Sequence, residues 1–85
     1  MYFWLVDVKS TVVVNGVDTA FDYINTFYDK KIAMRTAKAL VANPDVLEVD
    51  VHKWRLFADG TQEHVDGNGT VYTFRNEKHR EFVGD

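Results

Sequence analysis

Val13-Val14-Asn15-Gly16-Val17-Asp18 is the stretch that decides the fold. Asn-Gly between β-branched residues closes a two-residue hairpin, because both turn positions need positive φ, which Asn tolerates and Gly adopts freely. Such a turn pairs Val14 with Val17. Counting outward sets Val12 opposite Thr19, Val8 opposite Tyr23 and Trp4 opposite Phe27. One face of the hairpin then carries Trp4, Val6, Val8, Val12 and Val14 with Val17, Phe21, Tyr23 and Phe27. That face is the expected core side, with Trp4, Val8, Phe21, Tyr23 and Phe27 buried together. The other face carries Asp7, Lys9, Thr11, Asp18 and Asp22, with Lys9 opposite Asp22. It also carries Phe3, Leu5, Val13, Ala20, Ile24 and Tyr28.

Downstream of the hairpin the period changes. Asp29 is placed to cap a helix over residues 30–42, where good helix formers follow without glycine. Ala33, Ala37, Leu40 and Val41 recur at helical spacing and predict the sheet-facing side. Asn43-Pro44 ends the helix, since a residue before proline avoids the helical region. Residues 46–57 read as a third strand. Leu47, Val49 and Val51 alternate with Glu48, Asp50 and His52, and an apparent change of phase at Trp54 and Leu56 predicts a bulge near Lys53.

Asp59-Gly60 is a second turn signal. A two-residue turn there opposes Arg55 to His64 and leads into a fourth strand over 62–65. Asp66-Gly67-Asn68-Gly69 reads as a further turn, residues 70–74 as a fifth strand, and residues 76–85 as a polar tail with Phe82 as an anchor. The chain is thus one α+β domain over residues 1–75 followed by that tail. Its order is ββαβββ, with one helix packed on a mostly antiparallel or mixed sheet. A hairpin, a helix and a second hairpin resemble the β-grasp plan of the immunoglobulin-binding bacterial domains. The resemblance lies in element order alone, carries no motif and implies no function.

Composition narrows the function classes. Eighty-five residues fit one core, and 46% hydrophobic with 14% aromatic residues can fill it. The absence of cysteine removes disulfides, thiolate metal sites and thiol nucleophiles, and suits a cytoplasmic setting. Residues 1–6 are apolar but lack a basic flank and are broken by Asp7, so they read as a strand and not as a signal peptide. No run approaches the roughly 20 apolar residues of a membrane span.

No residue set names a chemistry. His52, His64 and His79 show no metal-ligand spacing, and the predicted register puts His52 and His64 on opposite faces unless a bulge intervenes. Glu48 and Asp50 share a strand side that reads as a solvated face. Ser10 is the only serine and sits in mid-hairpin. Gly67 and Gly69 lie between strands, with no helix following to cradle a phosphate. No cofactor, metal or small-molecule substrate is implied, and a non-enzymatic reading follows.

Charge and exposed apolar residues point to partners instead. Net charge is −3, yet residues 29–43 carry four basic side chains against Asp29 alone. Lys31, Arg35 and Lys38 follow helical spacing and form a stripe suited to an anionic partner. Phe3, Leu5, Ile24 and Tyr28 form an apolar cluster on the hairpin face opposite the core. The expectation is a small interaction module that binds a protein partner or a second copy of itself. The alternative is a nucleic-acid-associated protein using the basic stripe, which the acidic net charge disfavours.

Overall fold

The computed structural model describes residues 1–65 and 70–76. Five strands and one helix follow in the order β1 (Tyr2–Val14), β2 (Val17–Phe27), α1 (Lys30–Val41), β3 (Val46–Leu56), β4 (Gln62–His64) and β5 (Thr70–Arg75). They form an α+β domain in which the helix packs on one face of a curled antiparallel sheet.

The hairpin forms as its turn chemistry requires. Asn15 and Gly16 have φ of 52° and 79°, and Val14 pairs with Val17, Val8 with Tyr23 and Trp4 with Phe27. β1 also pairs with β3, from Tyr2 opposite Arg55 to Lys9 opposite Glu48. β3 in turn pairs with β5 along its first half and with β4 at its far end. β2 and β3 therefore flank β1, and α1 carries the chain across it.

This arrangement bears out one helix packed on an antiparallel sheet and corrects only the β-grasp resemblance and the mixed-sheet option. A β-grasp sheet sets its first strand parallel to its last, whereas every strand pair among the described residues here is antiparallel. The sheet is therefore neither mixed nor a grasp. The physical cause is the direct pairing of β1 with β3, which uses both edges of β1.

Asp29 caps α1, accepting from the backbone N–H groups of Lys31 and Ile32 at 2.8 and 3.2 Å. Ala33 and Ala37 are fully buried against Val6, Val8, Val46, Val49 and Val51, with Leu40 and Val41 packed at the margin. The two alanines let the helix backbone sit close to the sheet. The connection to β3 is fastened twice. Ser10 Oγ and the Thr11 N–H both donate to the Asp45 carbonyl, at 2.9 and 2.8 Å. Asn76, buried just after β5, donates through Nδ2 to the carbonyls of Asn43 and Val46, each at 2.9 Å.

Two expectations about packing change. Trp4 and Phe27 do pack at the core margin, but Phe21 and Tyr23 are 42% and 37% exposed. A helix of twelve residues is about 18 Å long and lies over β1 and β3, short of the outer half of β2. Beyond Ser10, where β3 pairing stops, β1 and β2 pair only with each other among the described strands, with Val12, Val13, Val14 and Val17 exposed.

No bulge interrupts β3 at Lys53 against β1, where the register shifts only between Lys9 and Ser10, but against β5 the register shifts close to Lys53, between Val51 and His52. From Glu48 onward β3 alternates in one phase; the change of phase comes at Leu47, the extra residue between Val46 opposite Ser10 and Glu48 opposite Lys9, and it lets Val46 and Val49 both face the core. Trp54 and Leu56 continue the row of Glu48, Asp50 and His52, facing away from the helix. The turn preceding β4 has three residues, not two. The Phe57 N–H donates to the Thr61 carbonyl at 2.9 Å, and Gly60 adopts a φ of 90°. The register therefore moves by one, and His64 lies opposite Trp54 instead of Arg55. The predicted turn at 66–69 and the tail beyond Asn76, with Phe82 and His79, lie outside the described residues.

Candidate functional site

One helix covers one face of a sheet, so the chemistry of the second face decides what the domain can offer. β1 contributes Phe3, Leu5, Asp7 and Lys9 to that face. β2 contributes Asp22, Ile24 and Thr26, with Tyr28 just beyond it; β3 gives Glu48, Asp50, His52, Trp54 and Leu56, and β4 gives Gln62 and His64. Curling of the sheet turns this face into a groove along Leu5.

At the end away from the hairpin tip, Phe3, Leu5, Thr26, Tyr28, Leu56 and Gln62 enclose a hollow of about 270 Å³. A second hollow of about 160 Å³ adjoins it, lined by Leu5, Asp7, Ile24, His52, Trp54 and His64. Leu5 is shared by both. The groove floor is built of rings in contact. Phe3 lies parallel to Trp54 at 6.2 Å and is tilted against Tyr28 at 6.4 Å. Trp54 meets His64 at 3.7 Å, and the imidazoles of His52 and His64 are 6.3 Å apart.

Two polar atoms at this floor are buried without a hydrogen-bond partner within the protein: Trp54 Nε1, a donor, and Asp7 Oδ1, an acceptor. Around them the face is acidic. Lys9 Nζ reaches Glu48 at 3.3 Å and Asp50 at 3.6 Å, leaving Asp22, its cross-strand neighbour, aside. The hydrogen bond to Glu48, then the nearby charge of Asp50, raises the Lys9 pKa above the ordinary lysine value. Asp50 also accepts from Thr73 Oγ1 at 2.8 Å.

The structure thus brings Leu5, Ile24 and Tyr28 together on one open face, with Ile24 and Tyr28 59% and 68% exposed. Phe3 belongs to the same cluster but is only 6% exposed, so it shapes the floor and offers little contact area. Trp54, Leu56, His52 and His64 were not among the residues expected here. Unbroken alternation through residues 48–56 is the sequence signal that places the first three of them. His64 required the three-residue turn. Lys31, Arg35 and Lys38 lie exposed on the helix, on the opposite side of the sheet, where with Lys30 and Met34 they border a shallow hollow. Lys30 itself sits over the Tyr72 ring at 5.4 Å.

Among the described residues no group of three or more His, Asp or Glu side chains is arranged to hold a metal ion. Among them, too, no helix is long and apolar enough to cross a membrane. Compared with protein-family models, with curated proteins and with solved structures, the chain finds no match in any of the three.

Proposed function

We propose that this protein is a non-catalytic protein-interaction module of the cytoplasm, and that the groove along Leu5 is its contact surface. The observation that carries the reading is the pair of buried, unpartnered polar atoms at the groove floor, Trp54 Nε1 and Asp7 Oδ1, between exposed apolar walls. As an extended segment enters the groove, small rotations of the Trp54 and Asp7 side chains bring these atoms to it, and its backbone then offers a carbonyl to the indole and an N–H to the carboxylate. Ile24, Tyr28 and Leu56 then receive its apolar side chains. The acidic rim of Asp7, Asp22, Glu48 and Asp50 selects a segment whose apolar residues alternate with Lys or Arg.

Trp54 reports on this directly, once Trp4 on the helix side is silenced by Trp4→Phe. Peptides alternating apolar and basic residues are expected to shift Trp54 emission saturably, and Leu5→Lys to abolish the shift. Equal responses to apolar–acidic peptides, or no response to either class, would overturn the proposal.

The second reading, nucleic-acid association, is supported by the exposed Lys31, Arg35 and Lys38 stripe. It expects oligonucleotide binding that weakens steeply with salt and is lost on reversing all three charges. Groove binding by peptides is insensitive to that triple change.

A further inference from the structure

We infer that the smaller of the two hollows beside Leu5 is an ammonium site, and that it takes the head of one inward-pointing lysine of the bound segment. That lysine presupposes the groove-bound segment and so rests on that reading. The site for its head stands on the hollow itself.

Asp7 Oδ1 is an acceptor without a donor. It is buried with no hydrogen-bond partner, and Asp7 lines the hollow with Leu5, Ile24, His52, Trp54 and His64. A buried carboxylate oxygen carries its desolvation cost until a donor reaches it. Across the strands Asp7 opposes Asp50 on one side and Ile24 on the other, so no cation faces it there. Among the described side chains this face holds two cations, Lys9 and Arg75. Lys9 turns to Glu48 and Asp50, at 3.3 and 3.6 Å. Arg75 lies opposite Glu48, two strands away from β1. Asp7, Asp22, Glu48 and Asp50 outnumber these two, and the face keeps an excess of negative charge. Lys53 and Arg55 alternate with Trp54 and belong to the helix side, where they lie over the rings of Tyr2 and Phe57.

The remaining walls suit the stem of a lysine. Leu5 and Ile24 are aliphatic, and Trp54 and His64 meet at 3.7 Å. Methylenes pack on such walls while the charged head stays with the carboxylate. An ammonium beside the rings also gains a cation–π attraction that a neutral group lacks. Ile24 and His64 are exposed, which leaves the mouth open.

Lysine fits better than arginine. A guanidinium is a planar fork that pairs with both oxygens of a carboxylate at once, whereas Asp7 has one oxygen turned into the floor. An ammonium is a compact charge that needs one oxygen, and the hollow holds about 160 Å³. A carboxylate can accept about four hydrogen bonds, so the segment's backbone N–H and its ammonium are accommodated together. Leu5 also borders the larger hollow of about 270 Å³. Residues i and i+2 of an extended segment share a face. An apolar side chain in the larger hollow and a lysine in the smaller therefore come from positions two apart.

Two probes separate the site from the segment, both read by Trp54 emission in Trp4→Phe protein at fixed ionic strength. Millimolar n-butylammonium chloride is expected to shift the emission saturably, and sodium chloride or n-butanol not to. Asp7→Asn keeps the side-chain shape without the charge and should abolish the response. Should that variant not fold, Asp7→Ser is the substitute. The second probe is an extended peptide with an apolar residue and a lysine two apart. Replacing the lysine by norleucine or acetyl-lysine is expected to weaken binding about tenfold. Arginine should weaken it less, and the lysine–norleucine gap should close in Asp7→Asn. No response to butylammonium would overturn the ammonium site. Equal affinities of the lysine and norleucine peptides would overturn lysine as its occupant and leave groove binding standing. A butylammonium response without binding of any peptide would keep the site and overturn the segment. Responses that persist in Asp7→Asn would place the cation elsewhere on the acidic rim and overturn the assignment to Asp7.

Discussion

Trp54 and His64 face one another directly across β3 and β4, with ring centroids 3.7 Å apart. A single added loop residue produces that contact. With a two-residue turn, His64 opposes Arg55 and points to the helix side; with three residues, it joins Trp54 on the open face. The groove floor, the proximity of His52 to His64 and the placement of Trp54 between the parallel Phe3 ring and the tilted His64 ring all depend on this register.

Asp59 holds the loop that sets it. Its Oδ1 accepts from the Thr61 hydroxyl at 2.7 Å and from the Thr61 N–H at 3.0 Å. These bonds favour the ionised carboxylate and lower its pKa, the hydroxyl contributing most. A depressed carboxyl pKa contributes stability above the ordinary aspartate range, and that contribution is lost as pH falls through the folded-state value. Asp59→Ala is therefore expected to lower the urea midpoint at neutral pH. The gap from wild type should narrow as the solution is acidified below the ordinary aspartate range. A gap constant with pH would show that ionised Asp59 does not fasten the loop.

Asn76 ties the end of β5 to the start of β3. Its amide satisfies the carbonyls of Asn43 and Val46, and its own N–H donates to the Leu47 carbonyl at 3.0 Å. Asn76→Ala removes a donor from the Val46 carbonyl and leaves the Asn43 carbonyl with the Val46 N–H at 3.0 Å, and should cost about 1–3 kcal/mol in urea denaturation. Asn76→Asp should cost more, because it sets a carboxylate against both carbonyls. Equal losses for the two variants would mean that packing, not the hydrogen bonds, holds this corner.

How far the sequence reveals the fold depends on the range of the determinant. The Asn15-Gly16 turn, the hairpin register, the Asp29 cap and the Asn43-Pro44 stop are set by neighbours in the chain, and each was legible. The β1–β3 pairing and the shared outer row of Phe3, Leu5, Trp54 and Leu56 depend on residues about fifty positions apart. Alternation within β3 would have placed Trp54 and Leu56, but the apolar rows on its two faces read as one row changing sides. Asp59-Gly60 fits turns of two or three residues equally well by composition. Only the bonds of Thr61 to Asp59 distinguish them. Asn76 looked like the start of a polar tail because a buried amide has no pattern in sequence.

Ala33 and Ala37 set the distance between helix and sheet, and both are fully buried. Ala37→Leu inserts three carbons where Val6, Val8, Val49 and Val51 already pack, and should cost about 1–3 kcal/mol through overpacking. Ala39→Leu, on the exposed side of the same helix, should change stability little. The contrast is read in thermal or urea unfolding, and equal effects at the two sites would contradict the close packing.

Gly16 tests how the hairpin tip is coupled to the rest. A Cβ built there meets nothing within 4 Å, so the cost of a side chain arises from the backbone alone, at φ of 79°. A β-branched residue resists this region, and Gly16→Val should destabilise the turn by about 1–2 kcal/mol. The tip lies beyond Ser10, where β1 has already left β3, and among the described strands Val12 to Val14 pair only with β2. Loosening this arm therefore exposes little surface that the core had buried. Local opening should absorb much of the penalty, as expected where two strands stand without a covering layer. Hydrogen exchange of the Val12, Val14, Val17 and Thr19 amides is expected to accelerate several-fold in Gly16→Val. The Val6, Val8, Val49 and Val51 amides should keep most of their protection. If core and arm amides accelerate by the same factor, the arm unfolds only with the whole domain, and the tip is part of the cooperative core.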